Sequence, residues 1–306
     1  MFNLNNNIVR NIKIIISIFI IFGVFGCKQN QTDKTQPTVT VSIVPQQFFV
    51  NQIAGSWLTV NVMIPPGGSP ATYEPTPKQM KDLTKSQAYF RIGHITFEKA
   101  WADKLASVSP NTEFVNTSEG LDLISEEGWG EEKVEQNNHN HKHLGYNPHI
   151  WLSPELVKAQ ANTIFQTLRK LYPQHEQTMK INLDRFSLQC DSVHLELDKQ
   201  LKNAGGSSFI VYHPVWSYLA RDYNLQQIAI EHNGKEPTAD KLKKIIDFAN
   251  DNNIRIVFVQ KEFSNVQAET IAKEIDGEVA TMNPLDYNWL NTMKEFGKVF
   301  ASLNAH

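Results

Sequence analysis

Seven apolar side chains, Met179, Leu183, Phe186, Cys190, Val193, Leu197 and Leu201, recur at intervals of three or four across Gln174–Lys202. That period predicts one helix with a single buried stripe, roughly 40 Å long at about 1.5 Å per residue. Gly205-Gly206 ends it. On either side, short β-branched runs alternate with helical stretches. The expected strands before it are Val39–Val44, Leu58–Ile64, Ala88–Ile92 and Glu113–Val115, and those after it are Phe209–Tyr212, Gln227–Ile230, Ile256–Val259 and Glu278–Thr281. Helix starts are marked by Thr76-Pro77 with Gln79, by Ser153-Pro154 (running to about Leu171), and near Thr238 and Ser264. Each of the first two offers a hydroxyl cap and a proline at the first helical position. Strand–helix alternation predicts parallel βα units. The expected fold is therefore α/β with two lobes, each a mostly parallel sheet flanked by helices, joined by one long rigid backbone helix. The competing reading of the long stripe is a coiled-coil dimerisation helix; it leaves both flanking blocks without a surface to pack on.

The ends bound the location. Arg10 and Lys13 precede an apolar run from Ile14 to Val24, closed by Val24-Phe25-Gly26-Cys27, and no acidic residue appears before Asp33. This is a secretory signal pattern, too short to span a bilayer comfortably. A cysteine after a small residue resembles the bacterial lipobox, which implies cleavage before Cys27 and lipid on its thiol; two or more acyl chains, such as palmitate, would anchor the chain stably. The bland alternative is an ordinary signal peptide with an incidental cysteine. Expected boundaries are a signal over 1–26, a polar tether over 27–37, an N-terminal lobe over 38–173 containing a loop at 118–146, the backbone helix over 174–203 and a C-terminal lobe over 204–306. Removing Arg10 and Lys13 takes the formal charge from −3 to −5, which argues against nucleic acid as a partner. Once Cys27 is acylated, only Cys190 remains; on an apolar stripe it reads as a buried, inert thiol.

Histidines carry the chemistry. His94, His149, His213 and His232 each stand at the end of an expected strand or just before a helix, the rim where open α/β sheets bind ligands. Asn147-Pro148-His149 and His213-Pro214 are stiffened by proline, and each is followed by tryptophan. A lone histidine at either place is more often structural; two such suggest a metal, and imidazole suits Zn, Cu, Fe and Ni. A zinc site wants about four ligands at roughly 2.0–2.2 Å. The 118–146 loop adds His139, His141 and His143, a flexible tract able to hold zinc weakly or simply to be solvated.

The chain resembles the solute-binding proteins of zinc and manganese ABC importers. The resemblance rests on Gly68-Ser69-Pro70-Ala71-Thr72-Tyr73-Glu74-Pro75-Thr76-Pro77, Gly93 with Phe97-Glu98, Pro148-His149-Ile150-Trp151-Leu152-Ser153-Pro154, His213-Pro214 with Trp216 and Tyr218, and Asn283-Pro284-Leu285. It implies one metal in a cleft between the lobes, with His149 and His213 matching two family ligands. Ala71-Thr72 stands where the family has its first histidine, and Asn283 where it often has a carboxylate. His94 is the first candidate to complete the set; Glu231, Asn283, Asp286, Gln260 and Glu74 are possible ligands or partners of ligands. The His-rich loop lies where the zinc branch carries its own, and a histidine tract favours zinc over manganese. The expected function is an extracytoplasmic, lipid-anchored, monomeric receptor delivering Zn²⁺ to an ABC permease in the membrane. A manganese or other divalent-metal receptor is the alternative, as is an adhesion or partner-binding lipoprotein with a degenerate cleft. No His-Glu-x-x-His or Gly-x-Ser-x-Gly pattern supports an enzyme.

Overall fold

The computed structural model describes residues 36–125, 145–202, 207–231, 237–261, 263 and 266–303. The signal segment, Cys27, the loop histidines His139, His141 and His143, Gly205-Gly206 and His232 lie outside the described residues.

The N-terminal sheet contains β1 (Thr38–Val41), β2 (Thr59–Val62), β3 (Ala88–Arg91) and β4 (Glu113–Asn116) in the order β2-β1-β3-β4, all parallel. Between them run α1 (Val44–Ala54), α2 (Pro77–Leu83) and α3 (Thr96–Val108), and α4 (Pro154–Leu171) follows a short 3₁₀ turn at Ile150–Leu152. After α5 (Glu176–Leu201), the second sheet repeats the same topology. It contains β5 (Ser208–Val211), β6 (Gln226–Ala229), β7 (Ile256–Gln260) and β8 (Glu278–Met282) in the order β6-β5-β7-β8. Its helices are α6 (Ser217–Asp222), α7 (Ala239–Asp251), α8 (Val266–Glu274) and α9 (Trp289–Leu303). In both sheets the strand order reverses between the first strand and the third, so each lobe has a crevice at the carboxyl ends of those strands.

The caps form as the sequence predicts. Thr76 Oγ1 accepts from Gln79 N–H at 3.3 Å, while the Gln79 side chain accepts from Thr76 N–H at 2.9 Å. Ser153 and Thr238 cap α4 and α7 through the hydroxyl alone, accepting from Leu156 N–H and Lys241 N–H. One expected strand needs correction: the run Val39–Val44 leaves the sheet after Val41, and Val44 opens α1. Gln46 is the local cause, since its Oε1 accepts from Ser42 N–H at 3.0 Å and turns the chain; Pro45, with no amide hydrogen to satisfy, suits the first helical turn. Helix α1 is largely enclosed: Val44, Phe48, Phe49, Val50, Ile53 and Ala54 are all buried, as is the polar Gln46, and Gln47, Asn51 and Gln52 are partly exposed.

The long helix matches its stripe. All seven apolar residues from Met179 to Leu201 are buried, and α5 packs against α4 and α1 on the N-terminal side and α9 on the C-terminal side. Phe186 meets Phe49 at 5.8 Å and Trp289 at 6.3 Å between ring centres, so one continuous core spans both lobes. Cys190 lies fully buried in that core, and burial pushes its thiol up to about 12. Ile181, Leu188 and Leu195 form a single exposed row on the same helix.

Candidate metal centre

His213 stands at the switch point of the C-terminal sheet, two residues past β5 and beside the end of β7. Gln260, the last residue of β7, holds its backbone from both sides: Nε2 donates to His213 O at 2.7 Å, and Oε1 accepts from His213 N–H at 3.4 Å. Glu231, just past β6, is only 5% exposed and takes a close hydrogen bond from His213 Nδ1. A carboxylate can only accept, so that nitrogen carries the proton and Nε2 keeps its lone pair. The ring stacks against Phe263 at 5.6 Å.

His149 comes from the N-terminal lobe, just ahead of the Ile150–Leu152 turn. Asn147 Oδ1 lies 3.0 Å from both His149 N and His149 Nδ1. Here too the oxygen must accept, which leaves Nε2 as the basic nitrogen. Burial, and then the charge of His213, hold the His149 imidazole well below the usual histidine range. It is therefore kept neutral, the form a metal requires. The two rings lie 5.3 Å apart, centre to centre, at 79°. Two imidazoles that each place a nitrogen about 2.0–2.1 Å from one tetrahedral zinc hold their ring centres roughly 5 Å apart. The spacing and donor chemistry of the pair fit zinc.

The other sequence-derived candidates occupy distinct places. His94 follows β3 on a turn gripped by Glu98, which is buried and accepts from Ile92 N–H at 2.7 Å and Gly93 N–H at 2.5 Å, with Ser42 Oγ also donating to it. Burial raises the Glu98 carboxyl despite those bonds. Gly93 has φ +103°, and a Cβ there would meet Asn116 Oδ1 at 2.3 Å, so only glycine makes this turn without strain. The His94 ring rests edge-on to Tyr146 at 5.3 Å, in a hollow shared with Asn116 and Glu119. Among the described residues no three His, Cys, Asp or Glu side chains are grouped closely enough to hold one metal, so His94 is not grouped with the pair. Asn283 and Asp286 are engaged with their own turn: Asn283 Oδ1 accepts from Leu285 N–H at 3.0 Å, and Asp286 Oδ1 accepts from Asn288 N–H at 2.8 Å. Glu74 is exposed in the segment between β2 and α2. Ala71-Thr72 is likewise exposed.

Sequence reasoning singled out neither Asn147 nor Phe263. The Asn-Pro-His order was the available signal for Asn147, since an amide two residues before an imidazole can reach both its N–H and its ring.

These features have known counterparts. The family described as ZnuA, zinc-uptake complex component A, periplasmic, matches residues 39–301. The chain belongs to this family. It is 26% identical over 277 residues to the zinc-binding lipoprotein AdcA of Streptococcus pneumoniae, a match covering 89% of this chain and 54% of AdcA. The chain thus spans about half the length of that relative. To the high-affinity zinc uptake system protein ZnuA of Bacillus subtilis it is 26% identical over 266 residues, covering 85% and 82% of the two chains. A crystal structure of ZnuA superposes with TM-score 0.80 at 37% identity, over 88% of this chain and 99% of that one. Two lobes joined by a long helix are the shared architecture, and the family is one of solute-binding components rather than enzymes.

Proposed function

We propose that this chain is an extracytoplasmic zinc receptor that captures Zn²⁺ between its lobes and delivers it to an ABC permease. The observation that carries the reading is the His149–His213 pair: 5.3 Å between ring centres, with each Nδ1 occupied by an oxygen acceptor and each Nε2 left basic. Two imidazoles oriented in this way, each with its Nε2 lone pair free, suit a shared metal ion. His94, on the facing sheet rim, completes the protein set by turning away from Tyr146, and solvent takes the remaining position. Glu231 and Gln260 orient His213 rather than bind metal, and Asn283 and Asp286 hold their turn. The histidines at 139, 141 and 143 raise the local zinc concentration. Cys27 carries the lipid anchor, and the receptor acts as a monomer with no catalytic step.

Calorimetric titration with Zn²⁺ and Mn²⁺ tests this. Zinc is expected to bind at micromolar affinity or better, and more tightly than manganese. His149→Ala and His213→Ala should each weaken binding severely, His94→Ala should weaken it less, and loss of the loop histidines should leave the affinity unchanged. Wild-type binding by His149→Ala or His213→Ala would overturn the proposal.

A further inference from the structure

The nitrogen that His149 offers is decided across the lobe boundary. Asn147 is only 6% exposed, and its side-chain amide lies between His149 on one side and the C-terminal lobe on the other. Its Nδ2 donates to Ser217 Oγ at 2.9 Å, and its backbone carbonyl accepts from Tyr218 Oη at 2.7 Å. Ser217 Oγ also accepts from Gln227 Nε2 at 3.3 Å and donates to Pro214 O at 3.2 Å. Gln227 Oε1 accepts from Trp216 N–H at 2.8 Å.

Every polarity in this chain is forced by the one before it. A backbone N–H only donates, so Gln227 turns its oxygen to Trp216 and its NH₂ to Ser217. The Pro214 carbonyl only accepts, so the Ser217 hydroxyl hydrogen points there. Ser217 Oγ can then offer only lone pairs, and Asn147 must face it with Nδ2. That leaves Asn147 Oδ1 toward His149, whose Nδ1 must carry a proton to meet it.

We infer that Asn147 is a positioning residue that sets the His149 tautomer for metal binding, and that Ser217 and Gln227 dictate its orientation from the opposite lobe. The inference rests on the zinc reading of the His149–His213 pair. His213 achieves the same end with the charged carboxylate of Glu231. His149 uses a neutral amide, which orients the ring without adding a negative charge beside it.

The test uses the full chain labelled with ¹⁵N and free of metal. Long-range ¹H–¹⁵N correlations at about pH 7.5, above the ordinary imidazole range, report the tautomer of each histidine. Wild type should show His149 protonated at Nδ1. In Asn147→Ala the Nε2-protonated form should appear at His149 alone, with His213 unchanged, and zinc affinity should fall about 10–100-fold. Asn147→Asp keeps an acceptor for Nδ1–H, with the Ser217 hydroxyl hydrogen turning from Pro214 to the carboxylate, and should retain the Nδ1-protonated tautomer and at least wild-type affinity. Ser217→Ala, which touches neither histidine, should produce a weaker form of the Asn147→Ala result and decides the matter if Asn147→Ala does not fold. An unchanged His149 tautomer with unchanged affinity in the folded variants overturns the inference while leaving the zinc site standing. Undiminished zinc binding by His149→Ala would instead remove the zinc reading beneath it.

Discussion

Replacing Glu231 separates what a buried carboxylate does for the metal from what it does for the fold. The side chain is almost wholly enclosed and takes the hydrogen bond of His213 Nδ1. A hydrogen bond to a charged acceptor contributes about 1.5–3 kcal/mol, and part of that reaches the metal because the carboxylate makes the opposite ring nitrogen more basic. Glu231→Ala removes acceptor and charge together and leaves Nδ1–H without its partner. The expected loss of zinc affinity is about 10–100-fold, or roughly 1.4–2.7 kcal/mol. Glu231→Gln can keep an oxygen on the ring, but a neutral acceptor makes a bond only about half as strong, so the loss should be nearer tenfold. The metal-free fold responds differently. Burying a carboxylate costs free energy that an amide largely avoids, so Glu231→Gln should leave the melting temperature of the metal-free protein unchanged or raise it. In Glu231→Gln, affinity should therefore fall with no loss of apoprotein stability. Zinc titration against a competing chelator, paired with calorimetric melts of the metal-free variants, measures both. Wild-type affinity in both variants would refute the argument, as would an affinity loss that only tracks lost stability.

Three further outcomes follow from the same geometry. Burial holds the folded His149 imidazole below its unfolded value near 6.5, so below about pH 6.5 the unfolded chain takes up more protons at this site; the stability contributed is complete above that pH and drains as pH falls toward the depressed folded value. Urea midpoints at about pH 7.5 and 5.5 should fall less steeply in His149→Asn than in wild type, and equal slopes would count against the buried neutral imidazole. Gly93→Ala forces a side chain onto the Asn116 amide at φ +103° and should cost at least about 1–3 kcal/mol in denaturant titration; a change below half a kilocalorie per mole, on the order of a surface substitution, would show the turn to be unstrained. Cys190, fully buried with its thiol pushed up to about 12, should resist a thiol reagent at neutral pH until denaturant is added, with labelling mapped to the residue by peptide mass spectrometry; rapid labelling of native protein would contradict the continuous core.

Much of the architecture is legible in linear order because it depends on local periods. The Met179–Leu201 stripe announces a helix whose inward face needs partners on both sides, and eight short β-branched runs announce two parallel sheets. Thr76, Ser153 and Thr238 mark helix starts through bonds to residues three positions on, which a sequence shows directly. Helix α1 is the contrary case: it is short and largely enclosed, it buries the polar Gln46 beside its apolar residues, and its first turn extends the apolar run of β1. His149 and His213 stand out as candidates from their prolines and their places beside strand and helix ends, and the structure brings their ring centres to 5.3 Å.

The sequence by itself determined the two α/β lobes, the spacer helix and the pair of histidines. Only the tertiary structure decided what those histidines present to a ligand. Glu231 and Gln260 reach His213 from 18 and 47 residues away, and the amide that orients His149 is itself oriented by Ser217, 70 residues further on. Hydrogen-bond polarity passes through space from donor to acceptor, and no local pattern encodes a chain of such bonds that crosses between lobes. Tertiary packing likewise set the His94 ring edge-on to Tyr146, while Asn283 and Asp286 accept from backbone N–H groups of their own turn.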